Sequence, residues 1–147
     1  MKYNNILVPN DFSEGSENAL TAAIDFANVT KATIHIVHVI TPVSYPTGFE
    51  MAASAAEFEK ELAEISNTKL NEIELRLKKL NLNCKVEILF GNTYSKLIDY
   101  SEINNIDLIC IATHGSGGIE HFIFGSTTEK ILRKAHCPVY VVRFYNN

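Results

Sequence analysis

Residues 5 to 40 read NILVPNDFSEGSENALTAAIDFANVTKATIHIVHVI, and this stretch decides the fold class. Asn5-Ile6-Leu7-Val8-Pro9 is a strand-length apolar run closed by proline. Apolar residues then return at helical spacing, with Leu20, Ala23, Ile24 and Ala27 at i, i+3, i+4 and i+7. Ser13 is placed to cap that helix, because its hydroxyl can accept from a free first-turn N–H, and Glu14 and Glu17 complement the positive end of the helix dipole. Thr33 to Ile40 follows as a second strand rich in β-branched residues. Strand, helix and strand in direct succession predict a right-handed crossover between parallel strands.

The alternation continues outward from there. Thr41 to about Ser54 carries Pro42, Pro46 and Gly48 and reads as an irregular loop, suited to a lid or to a disordered excursion. A long helix is expected next, with Phe58, Leu62, Ile65, Leu70, Ile73, Leu77 and Leu80 as its apolar positions. Cys84 to Phe90 is a third strand ending at Gly91, and Tyr94, Leu97, Ile98 and Ser101 mark one face of a shorter helix. Leu108 to Ala112 is a fourth strand, Thr113 to Phe124 a loop, and Thr128, Ile131, Leu132 and Ala135 one face of a last helix before the strand Pro138 to Phe144. No repeat, linker or low-complexity tract interrupts this order. The expectation is one α/β domain over residues 1–147, with a mostly parallel sheet covered by helices on both faces.

Composition agrees with a globular chain. At 147 residues, 46% hydrophobic and 20% charged, it can bury a core of its own. Its formal charge is −4, and basic residues adjoin only at Lys78-Lys79 and Arg133-Lys134, which argues against nucleic acid as a partner. The apolar run after Met1-Lys2-Tyr3-Asn4 is too short for a signal-peptide core or a bilayer span, so no membrane role and a cytoplasmic location are expected. Cys84, Cys110 and Cys137 are odd in number and widely spaced, and read as small buried hydrophobes.

Open parallel sheets bind ligands outside the carboxyl ends of their strands. Here those ends are Pro9-Asn10-Asp11, Val39-Ile40, Gly91-Asn92 and the segment Ala112-Thr113-His114-Gly115-Ser116-Gly117-Gly118-Ile119-Glu120-His121-Phe122-Ile123-Phe124-Gly125-Ser126-Thr127. Glycines let backbone N–H groups come close to an anion, and the start of a helix favours phosphate. Neither a Walker loop nor GxGxxG is present, so phosphate binding and a plain structural turn both remain open from spacing alone. Asp11 reads either as a ligand residue or as a helper of Ser13 at the helix start. His114 has no nucleophile or carboxylate beside it in sequence with which to act as a base. His35 and His38 stand three apart on a strand, on opposite faces, and cannot share a metal ion.

Val8-Pro9-Asn10-Asp11-Phe12-Ser13, His38-Val39, Ala112-x2-Gly115-x9-Gly125-Ser126 and Cys137-Pro138-Val139-Tyr140-Val141-Val142 occur in this order and together resemble the universal stress protein family, from Lys2 to Phe144. The resemblance implies a three-layer α/β/α, Rossmann-like fold of the adenine nucleotide alpha hydrolase type, with five parallel strands in the order 3-2-1-4-5. It implies a homodimer through the last strand and, in one branch of the family, an ATP site. Carried across, Asp11 would face the ribose and metal-phosphate region, Val39 would meet adenine through its backbone, Gly115, Gly125, Ser126 and Thr127 would hold the phosphates with His114 beside them, and Pro9, Asn10, Ile111 and Ala112 would complete the nucleotide-binding set. The first glycine of the family pattern is Ala112 here, and Ser116 to Phe124 contains Glu120 but no Lys or Arg. Phosphate charge would then be met by backbone dipoles, His121 or Mg²⁺ bridging to Asp11.

The function expected on this basis is a nucleotide-binding stress-response module, a regulatory switch with at most slow ATP hydrolysis. A ligand-free dimerisation or adaptor domain of the same family is the alternative. An enzyme of the related nucleotide-transferring folds is disfavoured by the lack of a HxGH-type signature and of a loop lysine.

Overall fold

The computed structural model describes residues 2–43, 49–114 and 124–143. Its elements run β1 (Asn5–Pro9), α1 (Glu14–Thr30), β2 (Thr33–Ile40), α2 (Phe49–Lys79), β3 (Cys84–Phe90), α3 (Thr93–Ile103), β4 (Leu108–Ala112), α4 (Ser126–Lys134) and β5 (Val139–Val142). The strands form one parallel sheet in the order β3-β2-β1-β4-β5. This is the expected order, with β1 at its centre between β2 and β4.

Alternation along the central strands sends side chains to two separate cores. Ile6, Val8, Ile34, Ile36 and Cys110 pack under Ala19, Leu20, Ala23 and Ala27 of α1 and Leu70 and Leu77 of α2. Leu7, Val37, Ile109 and Ile111 pack on the other face under Leu97 and Tyr100 of α3 and Ile131 of α4. Ser13 caps α1 as expected, its side chain accepting from the Ser16 N–H. The three cysteines are free, and burial pushes the Cys110 thiol up to about 12, consistent with its packing role.

Four expectations are corrected. Helix α2 begins at Phe49, inside the segment expected to be loop up to Ser54. The run Met51-Ala52-Ala53-Ser54-Ala55-Ala56 consists largely of strong helix formers, and their propensity outweighs the turn signals before it. Of those signals, Pro46 and Gly48 lie outside the described residues, and with them the question of a lid. Phe58, Ile65 and Leu80 of α2 are exposed rather than buried. A helix of 31 residues is about 46 Å long, against about 23 Å for the 7-residue strand β3, so the sheet cannot cover it all. On α4, Leu132 is exposed, and Thr128 and Ile131 make the buried face. The last strand is β5 (Val139–Val142), and Phe144 lies outside the described residues.

His35 and His38 do point to opposite faces. His35 is buried, and because Asn5 Oδ1 can only accept, the ring donates Nε2–H to it at 3.2 Å and accepts the Tyr100 hydroxyl at Nδ1, 3.0 Å away.

 Burial, and then the Lys85 charge, lower the His35 pKa from 6.5 to about 4.

The unfolded chain therefore takes up a proton near 6.5 and the folded ring only near 4, so the unfolded state binds more protons between these values. Stability is full above that window and falls by about 3 kcal/mol as pH drops through it. Urea unfolding at pH 7, 5.5 and 4.5 should show this loss, and His35→Gln should flatten it. An equal pH slope in the variant would remove His35 as its source.

Candidate functional site

The order of the sheet reverses between β1 and β4, which are neighbours whose following helices lie on opposite faces. Their carboxyl ends therefore open into a crevice. It is a cleft of about 360 Å³, within the range of small-molecule sites. Pro9 at the end of β1, Asn10 and Asp11 after it, Val39 of β2, Ile111, Ala112 and His114 at the β4 exit, and Gly125, Ser126 and Thr127 at the α4 start all line it. Gly115, the remaining expected site residue, lies outside the described residues, as does His121.

Asn10 organises the β1 exit. It is buried, and its N–H donates to the Val37 carbonyl at 2.9 Å. Its Oδ1 accepts from the Phe12 N–H at 2.8 Å and the Ser16 hydroxyl at 3.3 Å. The Asn10 carbonyl accepts from His38 Nδ1 at 2.7 Å, which fixes the proton on that nitrogen. These bonds hold Phe12 at φ 64°, an unusual conformation for a bulky residue. Its ring stacks on His38 with centroids 4.6 Å apart, and the Lys69 ammonium lies 5.0 Å from its centre.

Asp11 serves the α1 start, since its carboxylate accepts from both the N–H and the hydroxyl of Ser13. Ser13 Oγ accepts in turn from the Ser16 N–H at 3.2 Å. The helper role of Asp11 is thus present in the geometry, and the residue lines the cleft as well.

The start of α4 is different. Gly125 is its N-cap and offers no side-chain cap, while its own N–H donates to the Thr113 carbonyl at 2.7 Å. The first-turn N–H groups of Ser126, Thr127 and Thr128 have no carbonyl within the helix to meet them. All three residues line the cleft, so the positive end of the α4 dipole is directed there. The Thr128 hydroxyl donates to the Ala112 carbonyl at 2.9 Å and ties α4 to the β4 exit.

Asp11 carries the one carboxyl group among the described lining residues, and no Lys or Arg is among them. No group of three or more metal-ligating side chains occurs among the described residues. A divalent cation here would have Asp11 as its protein contact and would need phosphate oxygens and water for the rest, a coordination that suits Mg²⁺.

Sequence reasoning missed Ser16, Val37, His38, Thr93, Leu97 and Thr128 in the lining, and read Ser13 only as the α1 cap. Ser16 and Thr128 had a legible signal, a hydroxyl one turn into a helix that starts at the site. Val37, Thr93 and Leu97 reach the cleft through strand register and helix placement, which have no local signature.

A family model described as "Universal stress protein family" matches residues 2–143. A putative universal stress protein of Staphylococcus haemolyticus is 33% identical over 147 aligned residues, covering 97% of this chain and 86% of the relative. The solved structure of the Methanocaldococcus jannaschii protein MJ0577 superposes with TM-score 0.89 at 26% identity, covering 100% of both chains. Two more distant structures share the fold and are nucleotide complexes. A universal stress protein with cAMP has TM-score 0.68 at 19% identity, covering 97% of this chain and 98% of the other. An Arabidopsis thaliana family protein with AMP bound has TM-score 0.63 at 12% identity, covering 97% and 92%.

Thr128→Val keeps the shape and removes the buried hydrogen bond to Ala112. It should cost about 1–2 kcal/mol in urea unfolding, and Thr128→Ser should recover most of it. A cost within error of zero would show that the bond does not hold α4 to the β4 exit.

Proposed function

The chain belongs to the universal stress protein family, and from that premise we propose that it binds an adenine nucleotide, ATP with Mg²⁺, in the cleft between the β1 and β4 exits. The observation that carries this reading is the uncapped start of α4 directed at a cleft of suitable size. Fold neighbours solved with cAMP and AMP support the ligand class. The phosphates would meet the first-turn N–H groups of α4, the Ser126 and Thr127 hydroxyls, and the backbone at Ala112, His114 and Gly115. Val39 and Ile111 would border the base, with Pro9, Asn10 and Asp11 on the ribose side. Mg²⁺ would relieve the repulsion between Asp11 and the phosphates.

The described lining offers no Lys or Arg to stabilise charge developing in phosphoryl transfer. A binding switch with at most slow hydrolysis fits this better than an efficient enzyme. We further propose a homodimer through β5, which lies at the sheet edge with Tyr140 half exposed.

Calorimetric titration of nucleotide-stripped protein with ATP and Mg²⁺ tests the site. The native protein should bind and Gly125→Val should not. Gly125 has φ −66°, and a Cβ there meets the Thr113 oxygen at an ordinary 3.5 Å, so a loss in a folded variant reports on the ligand. No binding by the native protein up to millimolar ATP would leave the ligand-free adaptor.

Light scattering tests the dimer. The carbonyls of Pro138 and Val142 accept from β4, so by strand alternation the Val141 N–H faces away from it. Val141→Pro should therefore halve the mass of the native particle, and a native protein already monomeric would overturn the assembly.

A further inference from the structure

We propose that Gly15 is a positioning residue for the phosphate side of this cleft, and that its missing side chain accommodates Ala112; the ligand half of this inference rests on the nucleotide reading above. Gly15 is buried in the first turn of α1, far in sequence from the loop it touches. A Cβ built on it would lie 2.9 Å from the His114 carbonyl oxygen and 3.2 Å from the Ala112 Cβ. The first contact is with backbone, which cannot swing aside, and the second is with a side chain that has no other rotamer. Glycine here therefore lets α1 seat directly against the β4 exit.

The other sides of that exit are already fixed. The Thr113 N–H donates to the Val142 carbonyl at 3.0 Å, the Thr113 carbonyl accepts from Gly125 at 2.7 Å, and the Ala112 carbonyl accepts from Thr128 at 2.9 Å. With its carbonyl turned to α4, Ala112 directs its methyl group at α1. The methyl that replaces the first glycine of the family pattern thus packs into the space Gly15 leaves, rather than into ligand space. A side chain at Gly15 would press on His114 and Ala112, and the displacement would pass through Thr113 to Gly125 at the start of α4.

The test compares Gly15→Ala, Ala112→Gly and the double variant by ATP titration and by hydrogen exchange at the Gly125 amide. Gly15→Ala should weaken ATP at least tenfold and speed Gly125 exchange at least tenfold relative to amides in the middle of β1. Ala112→Gly removes the methyl alone and is the reference against which the double variant is read. The double variant should recover part of both losses, because only the softer contact has been removed. If Gly15→Ala does not fold, the double variant is read in its place against Ala112→Gly.

Unchanged Gly125 exchange in the folded variant would overturn the positioning role. A tenfold gain of affinity in Ala112→Gly would overturn the accommodation, since the methyl would then occupy ligand space. If the native protein binds no nucleotide, the functional reading fails by itself, and Gly125 exchange still decides whether Gly15 positions the loop.

Discussion

The constraint on which the rest depends is burial of β1 and β4 on both faces. Ile6, Leu7, Val8, Ile109 and Cys110 are fully enclosed, so every backbone polar group along these strands must be paired within the sheet. That demand ends where the strands end. Because the chain leaves β1 for one face and β4 for the other, neither following helix can cover the gap between their exits. The cleft follows from this topology, and the residues after β1 and β4 line it whatever their chemistry.

Their chemistry makes the two helix starts unequal. At α1, Ser13 and Asp11 meet the exposed N–H groups, and Glu14 and Glu17 add negative charge. At α4 no side chain caps the first turn, and Glu129 is the one acidic residue there. One end of the cleft is therefore internally neutralised, while at the other no side chain among the described residues caps the helix. The Asn10 bonds keep the neutralised end rigid, at the cost of an αL conformation at Phe12, which the stack on His38 and the Lys69 ammonium help to hold.

Much of this was legible in the sequence. The β-branched run at Thr33 to Ile40 and the helical spacing from Leu20 to Ala27 specify their elements because local propensity and burial agree there. The Ser13 cap was readable because it depends on neighbours in sequence. The start of α2 was not, because Pro46 and Gly48 signal a loop without saying where it ends. Nor were the exposed Phe58 and Ile65, since periodicity marks an apolar face but not how much sheet lies beneath it. Most of the cleft lining could be named from the strand exits, whereas Thr93 and Leu97 arrive through α3 packing. Least legible of all was the meeting of Gly15 with Ala112, a contact between residues that only the adjacency of β1 and β4 brings together.

That contact bears on how a site can survive the loss of a pattern residue. A methyl group added beside a ligand costs binding only if it points there, and direction is set by what holds the backbone. Ala112 is held by Thr128 through its carbonyl, which turns the methyl toward α1, and α1 has a glycine to receive it. A site assembled from backbone N–H groups is tolerant of side-chain change in this way, but sensitive to anything that moves the chain. On the proposed reading, affinity would depend on the packing behind the lining at Gly15 as well as on the residues that line the cleft.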